Sequence, residues 1–299
     1  MLKVIENQII NFSPKRVTLA LKREDAIHKF ISGNKYRKLK YNIIAAKQGE
    51  HDTLLTFGGA YSNHIAAVAA AGHEFGFKTI GIIRGEEFAD KYMNNPTLSY
   101  AKSQGMQFKF FKRSDYKNKS TSKMLISLEN EFGRFYLLPE GGTNLLAVKG
   151  AGEILTETDN HYDYICCPVG TGGTIAGLIA ASKSHQKILG FSALKGDFLT
   201  KEISKFVTKS NWELISSYHF GGYAKINEKL ISFINQFKDT FNVPLDPIYT
   251  GKMMFGICDM ISKGYFPKNS KILIIHTGGL QGIQGMNKKL KEKKLPLIN

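Results

Sequence analysis

Ser-Gly-Asn-Lys-Tyr-Arg-Lys-Leu, residues 32–39, is the stretch of this sequence that decides its fold. The apolar residues Leu39 and Ile43 continue it at helical spacing, which predicts a helix with Lys35 in its first turn. Gly33, just before this helix, lets the backbone approach a flat ligand closely. Because a helix N-terminus disfavours a protonated amine, we expect Lys35 to be available as the neutral amine that Schiff-base chemistry requires. In a chain with 41 Lys and Arg residues, however, one lysine decides nothing alone.

Short apolar strands alternate with helical patterns over most of the chain. Such alternation favours parallel sheets joined by crossover helices, and it predicts two α/β units. Residues 195–224 give no clear pattern. The predicted strands are 16–23, 53–57, 79–83, 108–111, 136–138, 164–168, 187–193 and 271–276, and the predicted helices after the one at Lys35 are 63–75, 92–104, 121–131, 145–157, 174–182, 227–240 and 253–262.

Gly170-Thr171-Gly172-Gly173-Thr174 lies between a predicted strand and a predicted helix. Free backbone N–H groups at such a helix start, together with the helix dipole, suit a phosphate, and the two threonines add hydroxyls. The loop is not a Walker loop, since no Gly-Lys-Ser/Thr follows, and Ile175 breaks the dinucleotide spacing Gly-x-Gly-x-x-Gly. A monophosphate is therefore favoured over a dinucleotide. A tight turn that only needs glycines is the alternative interpretation.

Ser62-Asn63-His64 follows another glycine turn and opens an Ala-rich predicted helix. Ser and Asn at this place are first of all N-cap residues. Three consecutive polar side chains exceed what capping requires, so the sequence also predicts a site that binds a carboxylate through hydroxyl and N–H donors. His64 is alternatively a surface histidine. No spacing of His, Cys or Asp predicts a metal site, and no Gly-x-Ser-x-Gly elbow predicts a hydrolase.

The composition is that of an ordinary globular protein, with 42% hydrophobic and 22% charged residues among 299. No apolar run approaches the roughly 18–20 residues of a membrane span, and residues 1–11 do not predict a signal peptide. Three cysteines cannot form a disulfide framework. Cys166 and Cys167 lie in an apolar run and are expected as buried thiols of a cytoplasmic protein.

The net charge of +16 is the one unusual bulk property. Nucleic-acid binding is one interpretation of it. The basic residues are, however, spread along the chain, and the only dense run is 288–294, with no zinc-knuckle spacing and no basic helix interleaved with aromatic residues. We therefore expect a solvated, Lys-rich surface and no nucleic-acid partner. A positive field that attracts an anionic cofactor and substrate is a further interpretation.

Taken together, these motifs resemble one family, the pyridoxal phosphate (PLP)-dependent 1-aminocyclopropane-1-carboxylate (ACC) deaminases and D-cysteine desulfhydrases. The resemblance extends from about Lys22 to Gly279. It implies a two-domain α/β fold of the tryptophan synthase β-like type (fold type II), with parallel sheets in both domains, PLP as the cofactor and a homodimer. It rests on the order and spacing of Lys22-Arg23-Glu24-Asp25, Gly33-Asn34-Lys35 with Arg37-Lys38-Leu39, Ser62-Asn63-His64, the Gly170–Thr174 loop, Asp246-Pro247-Ile248-Tyr249-Thr250-Gly251-Lys252 and His276-Thr277-Gly278-Gly279.

The resemblance also implies roles for single residues. Lys35 is similar to the lysine that holds PLP covalently, and Asn63 to the residue that hydrogen-bonds the oxygen on the cofactor ring. Ser62 resembles a catalytic ligand of the substrate carboxylate, with Asn63 and His64 beside it on the substrate. Tyr249 resembles a catalytic tyrosine that faces both the cofactor ring and the substrate, and Tyr223 a second one. Further cofactor contacts are implied for Gly170, Thr171, Gly172, Gly173, Thr174, Thr250 and Thr277.

The implied fold has two domains. We expect a small domain over residues 43–148, which contains Ser62-Asn63-His64. The large domain is expected over residues 1–42 and 149–299 and contains Lys35 and the phosphate loop. PLP is expected in the cleft between them, where domain closure can exclude water.

The position after the tyrosine of the Asp-Pro-x-Tyr motif distinguishes two activities within the resemblance. ACC deaminases typically carry Glu there, and an acid near the pyridine nitrogen of PLP keeps that nitrogen protonated. This chain has Thr250, as the D-cysteine desulfhydrases do. A neutral partner suits expulsion of a good leaving group. The first hypothesis is therefore α,β-elimination from a small amino acid, with D-cysteine giving pyruvate, ammonia and sulfide, and the alternative is ACC deamination to 2-oxobutyrate and ammonia.

The chain departs from the family at Tyr61, which is bulky just before Ser62, and this affects the expected substrate more than the cofactor. A serine/threonine dehydratase-like enzyme or a racemase is a neighbouring interpretation, against which Ser62-Asn63-His64 speaks. A binding protein that has lost its chemistry is another, against which Lys35, Asn63 and Tyr249 speak.

Overall fold

A computed structural model describes residues 5–11 and 17–299, so Arg16, the first residue of the predicted strand 16–23, lies outside it. The strands of the described chain are β1 Asn7–Ile10, β2 Thr18–Lys22, β3 Thr53–Gly59, β4 Lys78–Arg84, β5 Gln107–Phe111, β6 Tyr136–Leu138, β7 Tyr164–Val169, β8 Lys187–Ser192, β9 Trp212–Ile215 and β10 Lys271–Ile275. Its α-helices are α1 Asn34–Gln48, α2 Asn63–Phe75, α3 Pro96–Ser103, α4 Arg113–Tyr116, α5 Ser122–Phe132, α6 Leu145–Gly152, α7 Gly173–Ala181, α8 Phe198–Ser204, α9 Glu228–Phe241, α10 Thr250–Ser262 and α11 Gly282–Glu292.

The larger of the two sheets has six strands in the order β1-β2-β10-β7-β8-β9. All of its neighbouring strands are parallel except β1, which pairs antiparallel with β2. The central strands β7 and β10 are almost continuously apolar and buried. Such runs are typical of a parallel sheet covered by helices on both faces. The antiparallel edge strand β1 was not expected from its four residues, two of which are polar.

The smaller sheet has four strands in the order β5-β4-β3-β6, and all of its pairs are parallel. Its buried residues form cores with α1, α2, α3 and α5 that are separate from the cores around the larger sheet. The predicted α/β class with parallel sheets is therefore confirmed. The domain boundaries at 42/43 and 148/149 stay a prediction, which the separate location of the two sheets along the chain supports.

Three predicted helices have clearly other limits in the structure. The helix predicted over 92–104 begins at Pro96, because the side chain of Asn95 caps it there. The helix predicted over 145–157 ends at Gly152, because Thr156 and Asp159 form a capping box that starts a separate short turn. The helix predicted from Met253 begins at Thr250, because the carboxylate of Asp246 accepts hydrogen bonds from the first free N–H groups of α10. The unclear region 195–224 contains α8 and β9.

Candidate active site

The carboxyl ends of strands from both sheets face one cavity of about 930 Å³. Segments that follow β3, β4, β7 and β10 line it, which is where open α/β sheets bind their ligands. Most of the site residues expected from the sequence line this cavity. They are Lys35, Ser62, Asn63, His64, Gly170, Thr171, Gly172, Gly173, Thr174, Tyr223, Tyr249 and Thr277, whereas Thr250 is not among the lining residues.

Lys35 lies in the first turn of α1, where the sequence predicted it. The N-cap residue Gly33 has a φ of 64°, and a Cβ there would lie 1.9 Å from the carbonyl oxygen of Thr277. The N–H of Asn34 donates to that same oxygen at 3.2 Å, so the start of α1 is fixed against the segment after β10. Burial lowers the pKa of Lys35 to about 8, and the charge of Asp246 acts in the opposite direction. A neutral amine is therefore accessible close to neutral pH.

The glycine loop 170–174 leads into α7, which begins at Gly173 and directs its free N–H groups to the cavity. The hydroxyl of Thr174 accepts a hydrogen bond from Asn34 Nδ2 at 2.6 Å, which connects the loop to α1. The hydroxyls of Thr143 and Thr171 are hydrogen-bonded at 2.7 Å. The loop therefore presents backbone donors and hydroxyls together at one helix start, as a phosphate requires.

Lys38 is a basic side chain of this site to which the sequence reasoning gave no role. Its side chain is 2% exposed, and its Nζ donates to the carbonyl of Gly141 and, at 2.9 Å, to the hydroxyl of Thr143. A Cβ on Gly173 would lie 3.1 Å from Nζ, so the amine adjoins the glycine loop. Burial, and then the charge of Lys35, lower the pKa of Lys38 well below its usual range. Its position three residues after Lys35, on the same side of α1, is the signal that could have found it.

Ser62 is the N-cap of α2, and its hydroxyl accepts from the N–H groups of His64 and Ile65 at 3.2 and 3.4 Å. Ser62 therefore has the N-cap role that the sequence predicted. His64 is 2% exposed, and its Nε2 is hydrogen-bonded to the hydroxyl of Thr56 at 2.9 Å. The alternative of a surface histidine is thus wrong, because the Ala-rich helix packs this residue inside. Burial, followed by the charges of Lys35 and Lys38, lowers the pKa of His64 well below its usual range, so the ring is neutral.

Tyr249 and Tyr223 form a pair in the cavity wall, with ring centroids 6.3 Å apart at an interplanar angle of 64°. Burial, and next the neighbouring Tyr223, raise the pKa of Tyr249 well above its usual range. Loss of solvent around the hydroxyl also raises the pKa of Tyr223. Both hydroxyls consequently keep their protons at neutral pH and can donate hydrogen bonds.

Thr250 lies behind this wall and is fully buried. Its hydroxyl donates to Asp246 Oδ1 at 2.8 Å and accepts from the N–H of Asp246 at 2.8 Å. The same carboxylate accepts from the N–H groups of Ile248, Tyr249 and Thr250 at 2.9, 3.0 and 2.7 Å. Asp246 and Thr250 thereby fix the backbone that carries Tyr249.

The residues of the cavity fit PLP. A buried amine at Lys35, and backbone donors with Lys38 at the glycine loop, meet the needs of its aldehyde and its phosphate. Asn63 Oδ1 is buried and has no hydrogen-bond partner within residues 5–11 and 17–299, which a polar ligand in the cavity would explain. The described chain has no helix long and apolar enough to cross a membrane, and no group of three His, Cys, Asp or Glu side chains placed for a metal.

Comparison with known proteins agrees with this arrangement. A family model described as pyridoxal-phosphate dependent enzyme matches residues 9–278. A putative ACC deaminase of Pyrococcus horikoshii is 30% identical over 286 residues, which cover 88% of this chain and 84% of the relative. The bifunctional D-cysteine desulfhydrase/ACC deaminase of Arabidopsis thaliana, a mitochondrial protein, is 30% identical over 301 residues, which cover 90% of this chain and 74% of the relative.

A solved structure of an ACC deaminase homologue superimposes with a TM-score of 0.80 at 26% identity, covering 92% of this chain and 88% of that chain. Because it covers 92% of this chain, the likeness is one of the whole fold. The chain therefore belongs to the pyridoxal-phosphate dependent enzymes of fold type II, in the group of the ACC deaminases and D-cysteine desulfhydrases, and its cofactor is PLP.

Proposed function

We propose that this PLP-dependent enzyme acts on D-cysteine, with D-cysteine and water giving pyruvate, ammonia and hydrogen sulfide. The observation that supports this choice is Thr250. ACC deaminases typically carry Glu at this position, whereas the neutral hydroxyl of Thr250 is bound to Asp246 at 2.8 Å. Position 250 therefore brings no carboxylate into the cavity, and such a site suits expulsion of a good leaving group.

The cavity residues take the following roles in this proposal. PLP, when bound, supplies an electron sink for the pair released at the substrate α-carbon. Lys35 binds the cofactor and then takes the α-proton, for which the neutral amine is needed. Ser62 and the free N–H groups at the start of α2 bind the substrate carboxylate. Tyr223 and Tyr249, which keep their protons, donate a hydrogen bond to the departing sulfur.

ACC deamination, in which ACC and water give 2-oxobutyrate and ammonia, is the second candidate. It is favoured by one observation, the names of the relatives. Several proteins at 29–30% identity are called putative ACC deaminases, and the superimposed structure is that of an ACC deaminase homologue. The Arabidopsis relative is named for both activities, so its name assigns both reactions to one chain.

Keto-acid release by the PLP-loaded protein tests the proposal. D-cysteine, L-cysteine and ACC are incubated side by side with the enzyme and with its Lys35→Ala variant. We expect pyruvate from D-cysteine and a loss of product in the variant. Release of 2-oxobutyrate from ACC without pyruvate from D-cysteine would reverse the choice of substrate. Unchanged turnover in Lys35→Ala would contradict the role given to this lysine.

We further propose a cytoplasmic homodimer in which residues 43–148 form a small domain that closes over the cavity. The family resemblance supports the dimer, and the separate cores of the two sheets support the domain division. Light scattering coupled to size-exclusion chromatography would give the mass of the assembly, and a mass of one chain would contradict the dimer.

A further inference from the structure

The cavity contains more basic side chains than the proposed reaction uses. Six Lys and Arg side chains line it, against the two carboxylates of Glu140 and Glu202. The cofactor phosphate is assigned to the glycine loop with Lys38, and the substrate α-carboxylate to Ser62 and the start of α2. Neither of these anions needs the other four basic side chains of the cavity, which are Arg84, Arg113, Lys119 and Lys289.

Most of the remaining cations already have partners. Arg113 forms an ion pair with Glu87 at 2.5 Å, and Lys119 with Glu140 at 3.2 Å. Lys289 has its Nζ 4.3 Å from the centroid of the Tyr61 ring. These side chains are held by protein groups and need no ligand.

Arg84 differs from them. Within the described residues it has no ion pair and no hydrogen bond, although it lines the cavity. Its guanidinium carbon lies 5.8 Å from the centroid of the Tyr116 ring, which supports one face of the group. An arginine carries five N–H donors in a planar fork, so a guanidinium held by its face can still bind an anion along its edge.

The guanidinium of Arg84 lies close to the turn that is expected to bind the substrate carboxylate. Arg84 is the last residue of β4 and is in register with Gly59, the last residue of β3. Its Nη2 lies 3.7 Å from the place of a Cβ on Gly59, so the missing side chain gives the guanidinium room. The carbonyl of Gly59 accepts from the N–H of Ser62 at 3.0 Å, and both therefore belong to one tight turn.

Arg84 lines the same cavity as the tyrosine pair, and its charge reaches Tyr223. Loss of solvent raises the pKa of Tyr223, and the bond to Tyr249 and then the charge of Arg84 act in the opposite direction. The guanidinium therefore lies next to the turn expected to hold the α-carboxylate, in the cavity that Tyr223 and Tyr249 also line. A negative group on the β-carbon of a bound amino acid would point into this space.

We propose that Arg84 binds a negatively charged β-substituent, so that the site selects amino acids that carry a second anionic group beside the α-carboxylate. The inference rests on the proposed function, since it takes the cavity as an amino-acid site, and it adds the class of side chain. Cysteine belongs to this class as its thiolate, because a free thiol has a pKa of about 8.5 and a nearby guanidinium favours ionisation. In this proposal a tyrosine hydroxyl of the pair gives its proton to the sulfur as the bond to the β-carbon breaks, so that the sulfur leaves as HS⁻. ACC, whose β-carbons form a hydrocarbon ring, does not.

Aspartate and asparagine provide the test, because they have nearly the same shape, differ by one negative charge and lack a β-leaving group. Their dissociation constants are measured by isothermal titration calorimetry on the PLP-loaded enzyme, with both enantiomers. We expect aspartate to bind about tenfold more tightly than asparagine, the order of one charge-assisted hydrogen bond. In Arg84→Gln the preference should fall to within about twofold, while asparagine binding stays unchanged and shows that the variant is folded. Arg84→Lys should keep part of the preference.

Arg113→Gln is the matched control, because it removes the same charge from the same cavity but from an arginine that Glu87 already pairs. It should keep the preference. An equal loss in both variants would assign the preference to the general field and overturn the proposal, as would a preference retained in Arg84→Gln. Equal binding, or no binding, of the two ligands to the wild-type enzyme would also overturn it. The pyruvate assay is separate: pyruvate without an aspartate preference removes only this inference, and the preference without pyruvate removes only the reaction.

Discussion

Glu24 shows how residues behind the cavity fix the helix that carries Lys35. Its carboxylate is fully buried and accepts from Nε and Nη2 of Arg37, both at 2.9 Å. The next residue, Asp25, donates its N–H to the carbonyl of His276 at 3.0 Å. One short segment after β2 therefore holds both α1 and the strand end that precedes Thr277.

Removing this carboxylate should destabilise the protein strongly. In Glu24→Gln the largely buried guanidinium of Arg37 loses its counter-charge, so we expect the free energy of unfolding to fall by roughly 3–5 kcal/mol. Urea unfolding followed by circular dichroism measures it. Asp52→Asn is the control, because the Lys78–Asp52 pair is mostly exposed and its loss should leave the transition unchanged. A loss in Glu24→Gln as small as in the control would contradict the role of the buried pair.

The titration of Lys35 is a second prediction at this scale. In the cofactor-free protein its pKa is about 8, against 10.5 for a free lysine, because burial disfavours the charged amine. Between these two values the unfolded chain binds more protons than the folded one, so this group makes the protein more stable as pH rises from about 8 to 10.5. The ¹⁵N NMR signal of Lys35 Nζ, identified by its absence in Lys35→Arg, should titrate near pH 8. A midpoint near 10.5 would show that the amine is solvated.

The residues of the candidate site that could be predicted from the sequence are those that their neighbours in the chain identify. Lys35 follows a glycine at a helix start, and the glycine loop follows a strand, so both could be recognised from neighbouring residues. For Lys38 the only local signal is its spacing of three residues from Lys35, and for Arg84 there is none, because a surface lysine or arginine has the same local sequence. Their meaning comes from distant partners: Thr143 lies 105 positions from Lys38, and Tyr116 reaches Arg84 only through the fold.

At the scale of elements, apolar periodicity located most strands and helices, and the errors lie where side chains set a boundary. The carboxylate of Asp246 starts α10 three residues before the predicted Met253. The pair of Thr156 and Asp159 separates a short turn from α6. Both depend on single hydrogen bonds between side chain and backbone, to which a hydrophobic pattern is insensitive.

The loop that carries Tyr223 is held by one buried lysine. Lys252 of α10 is 2% exposed, and its Nζ donates to the carbonyls of His219 and Gly222 at 2.9 and 2.8 Å. Around these contacts the backbone of Phe220 and Ala224 has positive φ angles of 51° and 53°. Such angles are unfavourable for residues other than glycine, so the loop needs an external restraint.

We therefore expect Lys252→Met to release the loop. Methionine fills similar space but leaves the two carbonyls unpaired, which costs roughly 1–3 kcal/mol for each buried group. Limited proteolysis should cut residues 219–224 faster in this variant, and keto-acid release should fall with Tyr223 out of place. Lys229→Met, which changes an exposed lysine on α9, should behave as the wild type. Equal proteolysis in the two variants would show that other contacts hold the loop.

At the scale of the whole molecule, the charge of +16 and the cavity act on the same ligands. PLP carries a phosphate, and the site that fits it combines backbone donors with the buried Lys38. Charge spread over the surface adds a field that raises the local concentration of anions and is screened by salt. We therefore expect the net charge to act on the rate at which anionic ligands associate.

The association rate of PLP with the cofactor-free enzyme should consequently fall as salt rises. We expect a drop of about tenfold or more between low ionic strength and about 0.3 M NaCl, because the Debye length shrinks below 10 Å over this range. Stopped-flow absorbance at increasing NaCl measures the rate. Pyridoxal, which has the same ring without the phosphate, is the matched control, and its rate should be nearly independent of salt. If PLP and pyridoxal respond equally, or if neither responds, the field does not guide the cofactor, and the surplus of basic residues acts only as a solvated surface.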